Sequence, residues 1–432
     1  MKHYGIRTHI AICAGQCATF ASRILGKGAG GMIGGVVAHK IDPHIVEKVS
    51  RPMNVALVTG TNGKSTTTKM LHAAVSTLGE TAWNSRGDNM LSGITTALFS
   101  RRHARYATLE VDEMYTAQVA GLTQPDVFIL LNLSRDQLDR VGEITHVEAR
   151  IRAAVESCPD ATIVANCDDP LIASAAWDCP NVIWVAAGCG WTIDSTVFPR
   201  SGKRVHYHDD GTWYVDETYQ RPRPHWFVEN ETLVYQGDCG KRGDCEERYP
   251  LHLRIPGVVN QRNAAQAVAG AVALGVPAAQ AVHAVETVEE VAGRYARYDV
   301  HGRHLRMFLA KNPAGWQQAL TMVSSQASSV IFAINGQVAD GQDLSWLWDV
   351  DFEQGGALPE STAVYACGER GADLAVRVHY AGIQAHLRKT PMEAVLAAEL
   401  GDIDVLANYT AFRDFKALLE KEGFHPYGEV RA

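Results

Sequence analysis

Apolar runs of strand length recur along the first half of the chain, at Asn54–Val58, Tyr106–Val111, Asp126–Leu131, Thr162–Ala165 and Val182–Val185. Between them the apolar positions change period. Met70, Leu71, Ala74, Val75 and Leu78 recur at helical spacing, which predicts a helix over Lys64–Leu78 with one buried face, stopped at Gly79. Ser92–Phe99, Met114–Gly121 and His146–Cys158 read the same way. Strands alternating with helices predict an α/β fold with a mostly parallel sheet covered by helices. In that architecture ligands gather at the carboxyl ends of the strands.

Residues 187–250 break the pattern. They are polar and aromatic, with Trp191, Trp213, Tyr214, Tyr219 and Trp226, and they predict a small inserted β-rich subdomain. Leu251–Ile255 reads as a returning strand, and Asn260–Leu274 and Ala278–Val288 as helices. A second, Rossmann-like α/β unit follows. Its strands are expected near Leu305–Ala310, Ser329–Ile334, Ala363–Ala366 and Asp404–Ala407, and its helices near Gly315–Val323, Arg370–Tyr380, Pro391–Glu399 and Ala411–Glu422. The expected organisation is an N-terminal helical segment (1–50), a central domain (51–292, with 187–250 inserted) and a C-terminal domain (293–432).

Composition narrows this only slightly. The 432 residues are 46% hydrophobic and 20% charged, as in ordinary globular proteins. A net charge of −8 argues against a nucleic-acid-coating surface. Nine cysteines, scattered and without a Cys-x-x-Cys pair, read as reduced thiols and not as a disulfide framework or a zinc ribbon. Residues 9–37 are mildly apolar, but Arg23 and Lys27 interrupt them, which argues against a membrane span. They read as a packing helix with a glycine-rich connection, a signal peptide being the alternative.

The strongest chemical signal is Gly60–Thr61–Asn62–Gly63–Lys64–Ser65–Thr66, between the first strand and its helix. Glycines let backbone N–H groups approach phosphates, the helix N-terminus adds partial positive charge, lysine neutralises phosphate oxygens and the hydroxyl can ligate Mg²⁺. Where the longer form of this motif has its first glycine, this chain has Val58, so the loop is a shortened one. Glu110, with Asp112 and Glu113 beside it, ends a strand where phosphates and Mg²⁺ would gather. Glu110 is the expected metal ligand, with a hydroxyl from Ser65 or Thr66. Asp136, Asp139 and Arg140 either face the same cleft or open a helix. Asn263 opens another helix, where an amide can match an adenine edge. Asp340, Asp343, Asp349 and Asp351 cluster with Trp346 and Trp348, which reads either as a site or interface or as an acidic loop over two core tryptophans. Lys311 is a candidate substrate-binding lysine or a surface one.

With these residues laid out, the chain resembles the Mur ligase family, and within it the MurT-type subunits of lipid II isoglutaminyl synthases. "TGTNGKSTT" at 59–67, "LEVDE" at 109–113, "NCDDP" at 166–170 and "GVVNQRNA" at 257–264 are similar to the family's motifs. "RDQLDRVGEI" at 135–144 resembles the MurT version of a motif that other Mur ligases write with a metal-binding histidine, here Gln137. "LAKNPAG" at 309–315, "ADGQDLSWLWDVDFE" at 339–353, "CGERGADLAVRVHYAG" at 367–382 and "ANYTAF" at 407–412 resemble the MurT type alone. The resemblance implies ATP and Mg²⁺, with Glu110 as metal ligand, Asn263 at the adenine and Gly293–Arg294 at the hinge, Arg294 counting among the nucleotide-binding residues.

It also implies a GatD-type glutaminase partner whose catalytic triad Asp343 completes. The implied reaction is ATP-dependent amidation of a glutamate carboxylate in the lipid II stem peptide, in the cytoplasm at the inner face of the membrane, contacted through the lipid substrate. No nucleic-acid partner is expected. Two departures stand out. Cys189, Cys239 and Cys245 lack the spacing of a four-cysteine ribbon, so zinc is not expected, and Gly336 stands where the family usually has aspartate. A stand-alone amino-acid ligase and a non-catalytic nucleotide-binding scaffold are the competing expectations.

Overall fold

The computed structural model describes the chain except residues 1–3, 25–30, 86, 136–143, 239–243, 290–294, 342, 354–357, 359–361 and 427–432. Contacts divide it into two compact units, Met1–Leu133 with Gly142–Val288, and Ser134–Val141 with Glu289–Ala432.

The first unit is built on a nine-stranded sheet. From one edge its strands are Asp244–Pro250, Thr232–Asp238, Trp226–Glu229, Val182–Ala186, Thr162–Asn166, Val127–Leu130, Asn54–Thr59, Tyr106–Glu110 and Thr81–Trp83. Pairing is parallel from Thr81–Trp83 as far as Trp226–Glu229 and antiparallel beyond it. Val55, Ala56, Leu57 and Val58 are fully buried, as a parallel strand covered on both faces requires. The chain runs out to Thr81–Trp83, returns through Tyr106–Glu110, and crosses Asn54–Thr59 to reach Val127–Leu130. The strand order therefore reverses at Asn54–Thr59, where open α/β sheets place their ligands. Helices Lys64–Val75, Val258–Ala273 and Ala278–Glu286 pack together.

Several expectations need correction. Leu251–Ile255 is not a strand; the preceding polar stretch Asp244–Pro250 is, paired antiparallel with Thr232–Asp238 at the sheet edge. An edge strand need not be apolar, so its alternating polar residues hid it. The segment 187–250 is also not all one inserted body. Its last strands extend the main sheet, and only His206–Tyr207 with Trp213–Tyr214 forms a separate ribbon. That ribbon closes a small core of Phe198, Val205, Trp213 and Val215, to which Trp213 Nε1 donates a tie at 2.9 Å from the Cys167 carbonyl. Cys245 is disulfide-bonded, against the reading of nine reduced thiols; it lies at the turn end of a hairpin pair, where near neighbours in sequence are brought side by side. Residues 9–37 fall on two helices, Ile6–Ile24 and Gly31–Ile41, packed on each other.

The second unit carries a six-stranded sheet in the order Tyr295–Val300, Arg303–Leu309, Gly401–Ala407, Ser329–Ala333, Ala363–Cys367, Ala385–Leu387, parallel except for its first pair. Helices Pro391–Ala397 and Tyr409–Lys421 cover one face through Val395, Phe412 and Phe415. Helices Pro313–Thr321 and Gly371–Tyr380, with the turn Ser345–Trp348, cover the other through Trp316, Leu374 and Trp346. Asn312, fully buried, caps the first of these by accepting from Gly315 N at 2.7 Å, with Pro313 at the first helical position.

Candidate active site

Strand Asn54–Thr59 ends in a loop that only glycine can form. Gly60 and Gly63 have φ of +136° and +85°, and a Cβ on Gly63 would stand 2.8 Å from Asn263 Oδ1. Asn132, just past strand Val127–Leu130, braces the loop from the other side. Its carbonyl accepts from Thr61 N at 2.8 Å, its Oδ1 accepts from Asn62 N at 3.0 Å, and its Nδ2 donates to the Asn62 carbonyl at 3.0 Å. Helix Val258–Ala273, which carries Asn263, is tied to the same strand by Gln266 Nε2 donating to the Leu130 carbonyl at 3.1 Å. The loop is thus held by its neighbours before any ligand arrives.

Lys64 is 4% exposed. Its ammonium donates to the Gly60 carbonyl at 2.5 Å and the Thr61 carbonyl at 3.3 Å, and pairs with Glu113 Oε2 at 3.1 Å. Ser65 Oγ donates to Glu110 Oε2 at 2.7 Å. Asn89 Nδ2 holds the other oxygen, Oε1, at 3.1 Å, and Asn84 bonds the Glu110 backbone in both directions, at 2.8 and 2.9 Å. A carboxylate beside a hydroxyl is a hard oxygen donor pair that suits Mg²⁺, which takes one or two carboxylates and fills its shell with phosphate oxygens and water. Among the described residues no group of three or more His, Cys, Asp and Glu is gathered as a metal cage.

The structure therefore brings together Gly60–Thr66, Glu110 and Asn263. It adds three partners that the periodic pattern did not single out: Asn84, Asn89 and the ion-pairing role of Glu113. Asn84 and Asn89 follow Thr81–Trp83, a strand of only three residues, too short to register as a run. Asp136, Gln137, Asp139, Arg140 and Arg294 lie outside the described residues.

In the second unit the acidic cluster divides by burial. Asp340 is 3% exposed and accepts from Thr410 N at 2.8 Å, Thr410 Oγ1 and Gln337 N. Asp343 is exposed, and its Oδ1 accepts from Ser345 N at 2.8 Å, which holds the carboxyl below its ordinary range. Trp346 is core, but Trp348 is 55% exposed, so the reading of two core tryptophans holds for one only. Arg377 lies under Trp348 and Phe352 and forms a two-pronged pair with Glu353, at 2.9 and 2.8 Å. Lys311 sits half-buried between strand Arg303–Leu309 and the Asn312 cap.

Two families match this chain: the Mur ligase middle domain over residues 58–189, and the MurT ligase C-terminal over residues 309–412. The subunit MurT of the glutamine-hydrolyzing lipid II isoglutaminyl synthase of Streptococcus pneumoniae is 28% identical over 96% of this chain and 97% of its own length. The chain belongs to the Mur ligase family, in its MurT branch. The MurT subunit of Staphylococcus aureus (strain COL) is 25% identical over 88% of this chain and 89% of its own. A pseudomurein peptide ligase type C from Methanothermus fervidus has the same Mur ligase fold, with a TM-score of 0.65 at 18% identity over 87% of this chain and 81% of that one. MurF from Acinetobacter baumannii has it too, with a TM-score of 0.63 at 17% identity over 89% and 80%. In the inserted region Cys189 is half-buried, its thiol donating to the Trp191 carbonyl and pushed up by desolvation, and Cys245 is paired. No helix among the described residues is long and apolar enough to cross a membrane.

Proposed function

We propose that this chain is the ATP-using subunit of a glutamine-dependent lipid II amidating ligase, with residues 51–292 binding nucleotide and residues 293–432 meeting a glutaminase of the GatD type. The observation that carries the nucleotide half is the Ser65–Glu110 pair, 2.7 Å apart beside the Lys64 ammonium at the sheet's switch point. The MurT-type C-terminal stretch supports the other half.

The chain's groups fit the two steps of such a reaction. Backbone N–H groups of Gly63–Ser65, at the N-terminus of helix Lys64–Val75, hold the β- and γ-phosphates, and Lys64 exchanges Glu113 for phosphate oxygen. Glu110 and Ser65 would hold a Mg²⁺ ion, which would neutralise phosphate charge there. Asn263 lies against Gly63 and orients the adenine. The γ-phosphoryl passes to the glutamate α-carboxylate oxygen and ADP leaves, a transfer governed by positioning and charge. Ammonia then attacks the acyl carbon, the C–O bond to phosphate breaks, and the amide nitrogen sheds a proton.

Ammonia comes from the partner. Asp343 is exposed and held by its own turn, in a loop that continues to exposed Trp348, whose ring meets that of exposed Tyr380. This suits a carboxylate offered across an interface, where it orients the histidine of a Cys-His pair. Lys311 is proposed to hold the stem-peptide carboxylate.

The test is co-purification with the host glutaminase, followed by lipid II amidation. Amide formation dependent on both ATP and glutamine is expected. ATP hydrolysis with no amide from any glutaminase pairing would sink the proposal.

A further inference from the structure

The two N-terminal helices carry an apolar surface that the proposed chemistry does not use. Helix Ile6–Ile24 buries Thr8, Ala11, Ile12, Gly15 and Thr19 on one side. The contact with helix Gly31–Ile41 is close: a Cβ on Gly15 would stand 2.8 Å from the Gly34 carbonyl oxygen. The opposite side of the same helix is also apolar. Ile6, Ile10, Cys13, Cys17, Phe20 and Ile24 alternate at spacings of four and three, which lines them up as one outward stripe. Ile6 is 82% exposed, Phe20 66% and Ile24 68%. The neighbouring helix adds exposed Met32, Ile33 and Val36. Contiguous exposed apolar surface of this kind marks an interaction site.

Charge identifies the occupant. Residues 1–41 contain Lys2, Arg7, Arg23, Lys27 and Lys40 and no Asp or Glu, in a chain of net charge −8. Arg7, Arg23 and Lys40 are exposed, while Lys2 and Lys27 lie outside the described residues. An apolar face whose own helices carry only cationic charges, with Asp88 the acidic neighbour at Gly31, disfavours a second copy of itself and complements an anionic surface. The helix cannot span a bilayer, because no described helix is long and apolar enough and its inner side is committed to protein. A helix lying flat, with apolar residues among the acyl chains and Lys/Arg at the headgroups, is the arrangement left.

We infer that helices Ile6–Ile24 and Gly31–Ile41 dock this protein onto an anionic bilayer surface. The use of such docking rests on the lipid-linked substrate proposed above: it brings the nucleotide site to a substrate that cannot leave the membrane.

The heterodimer with its glutaminase is floated with vesicles of phosphatidylcholine containing about one-third phosphatidylglycerol, and with phosphatidylcholine alone. Binding to the anionic vesicles at least ~10-fold stronger, and weakened by salt, is expected. The double variant Ile10→Ser with Phe20→Ser changes two exposed side chains. It should lose binding by ~10-fold or more and amidate vesicle-embedded lipid II more slowly, while matching the wild type on lipid II in detergent micelles. Equal binding to both vesicle types, no binding, or a variant that floats like the wild type overturns the inference. So does flotation of the isolated subunit but not of the heterodimer, which would give the stripe to the glutaminase. Self-association lost in the variant without flotation would give it to a second copy and overturn the inference likewise. Vesicle binding together with no amide under any condition would remove the proposed function and leave the docking intact.

Discussion

Glu110 and Asp343 are both carboxylates proposed to serve one reaction, yet their surroundings are opposite. Glu110 is 2% exposed; both of its oxygens and its backbone are bonded by Ser65, Asn89 and Asn84 from two other segments. Asp343 is exposed, and the bond that positions it comes from Ser345, two residues away in its own loop. A site that one chain completes is fixed from within, and its polar groups are satisfied at burial. A carboxylate held only by its own turn in water is positioned but not desolvated. It gains catalytic strength only when another surface covers it, because electrostatic and hydrogen-bond terms grow as water is excluded.

That contrast can be broken by separating the half-reactions of the complex. Asp343→Asn should lower glutamine hydrolysis by ~10³-fold or more, the scale on which an orienting triad aspartate acts, while amidation driven by added ammonium salts continues. Glutaminase activity at the wild-type level would remove Asp343 from the triad. Lys64→Ala is the mirror experiment. Ammonia-driven amidation should fall by ~10²–10³-fold with glutamine hydrolysis retained, since the phosphoryl oxygens lose a buried cation. Loss of both activities in either variant would mean that the two regions do not work separately.

A smaller effect tests how the exposed carboxylate is held. Asp340→Ala leaves the Thr410 N–H and hydroxyl without their acceptor in a buried site, which should cost about 2–4 kcal/mol of stability in the second unit. Thermal unfolding would register this, and glutamine hydrolysis should fall with it, because the turn Val338–Asp340 leads directly into Asp343. Asp340→Asn keeps one acceptor and should recover part of both. An unchanged melting temperature would make Asp340 incidental.

The sequence made these two regions legible to different degrees, for physical reasons. The phosphate loop is a local object: strand, turn and helix are contiguous, and the run Val55–Val58 is apolar throughout, so the Gly60–Thr66 residues and the flanking periodicity locate it together. Its braces are not local. Asn84 with Asn89, Asn132 and Asn263 come from three segments, and no spacing rule brings them to the loop and Glu110. Strand Tyr295–Val300 was missed because only one side of it is consistently buried, with Arg297 and Asp299 facing outward. The charged hairpin Thr232–Asp238 with Asp244–Pro250 was read as part of an insertion because edge strands tolerate polar residues. The acidic-aromatic loop was ambiguous because burial, not composition, separates Asp340 from Asp343 and Trp346 from Trp348.

The smallest effect sharpens the comparison through acid stability. In the first unit His72 stacks on Trp83 at 4.3 Å, and burial, helped by the charge of Arg101, lowers its pKa from 6.5 to about 4. In the second, the paired Arg377 guanidinium lowers the Glu353 pKa from 4.5 to about 2. Below pH 6.5 the unfolded chain protonates His72 while the folded chain does not, so that contribution is lost between 6.5 and about 4. The Glu353 contribution is present above 4.5 and is lost only as pH falls from there through about 2. These two groups weaken the first unit before the second on acidification, while Asp169, its carboxyl pushed up to about 6 by burial, opposes the His72 loss over the same range. His72→Phe keeps an aromatic ring against Trp83 without a titrating group, so it should flatten the loss between 6.5 and about 4 and leave the lower limb unchanged. Glu353→Gln should flatten only the lower limb. Acid unfolding of the wild type and both variants, followed by tryptophan fluorescence, reads both limbs; a His72→Phe curve that superimposes on the wild type above pH 4.5 would show that the stacked histidine is not what sets the order.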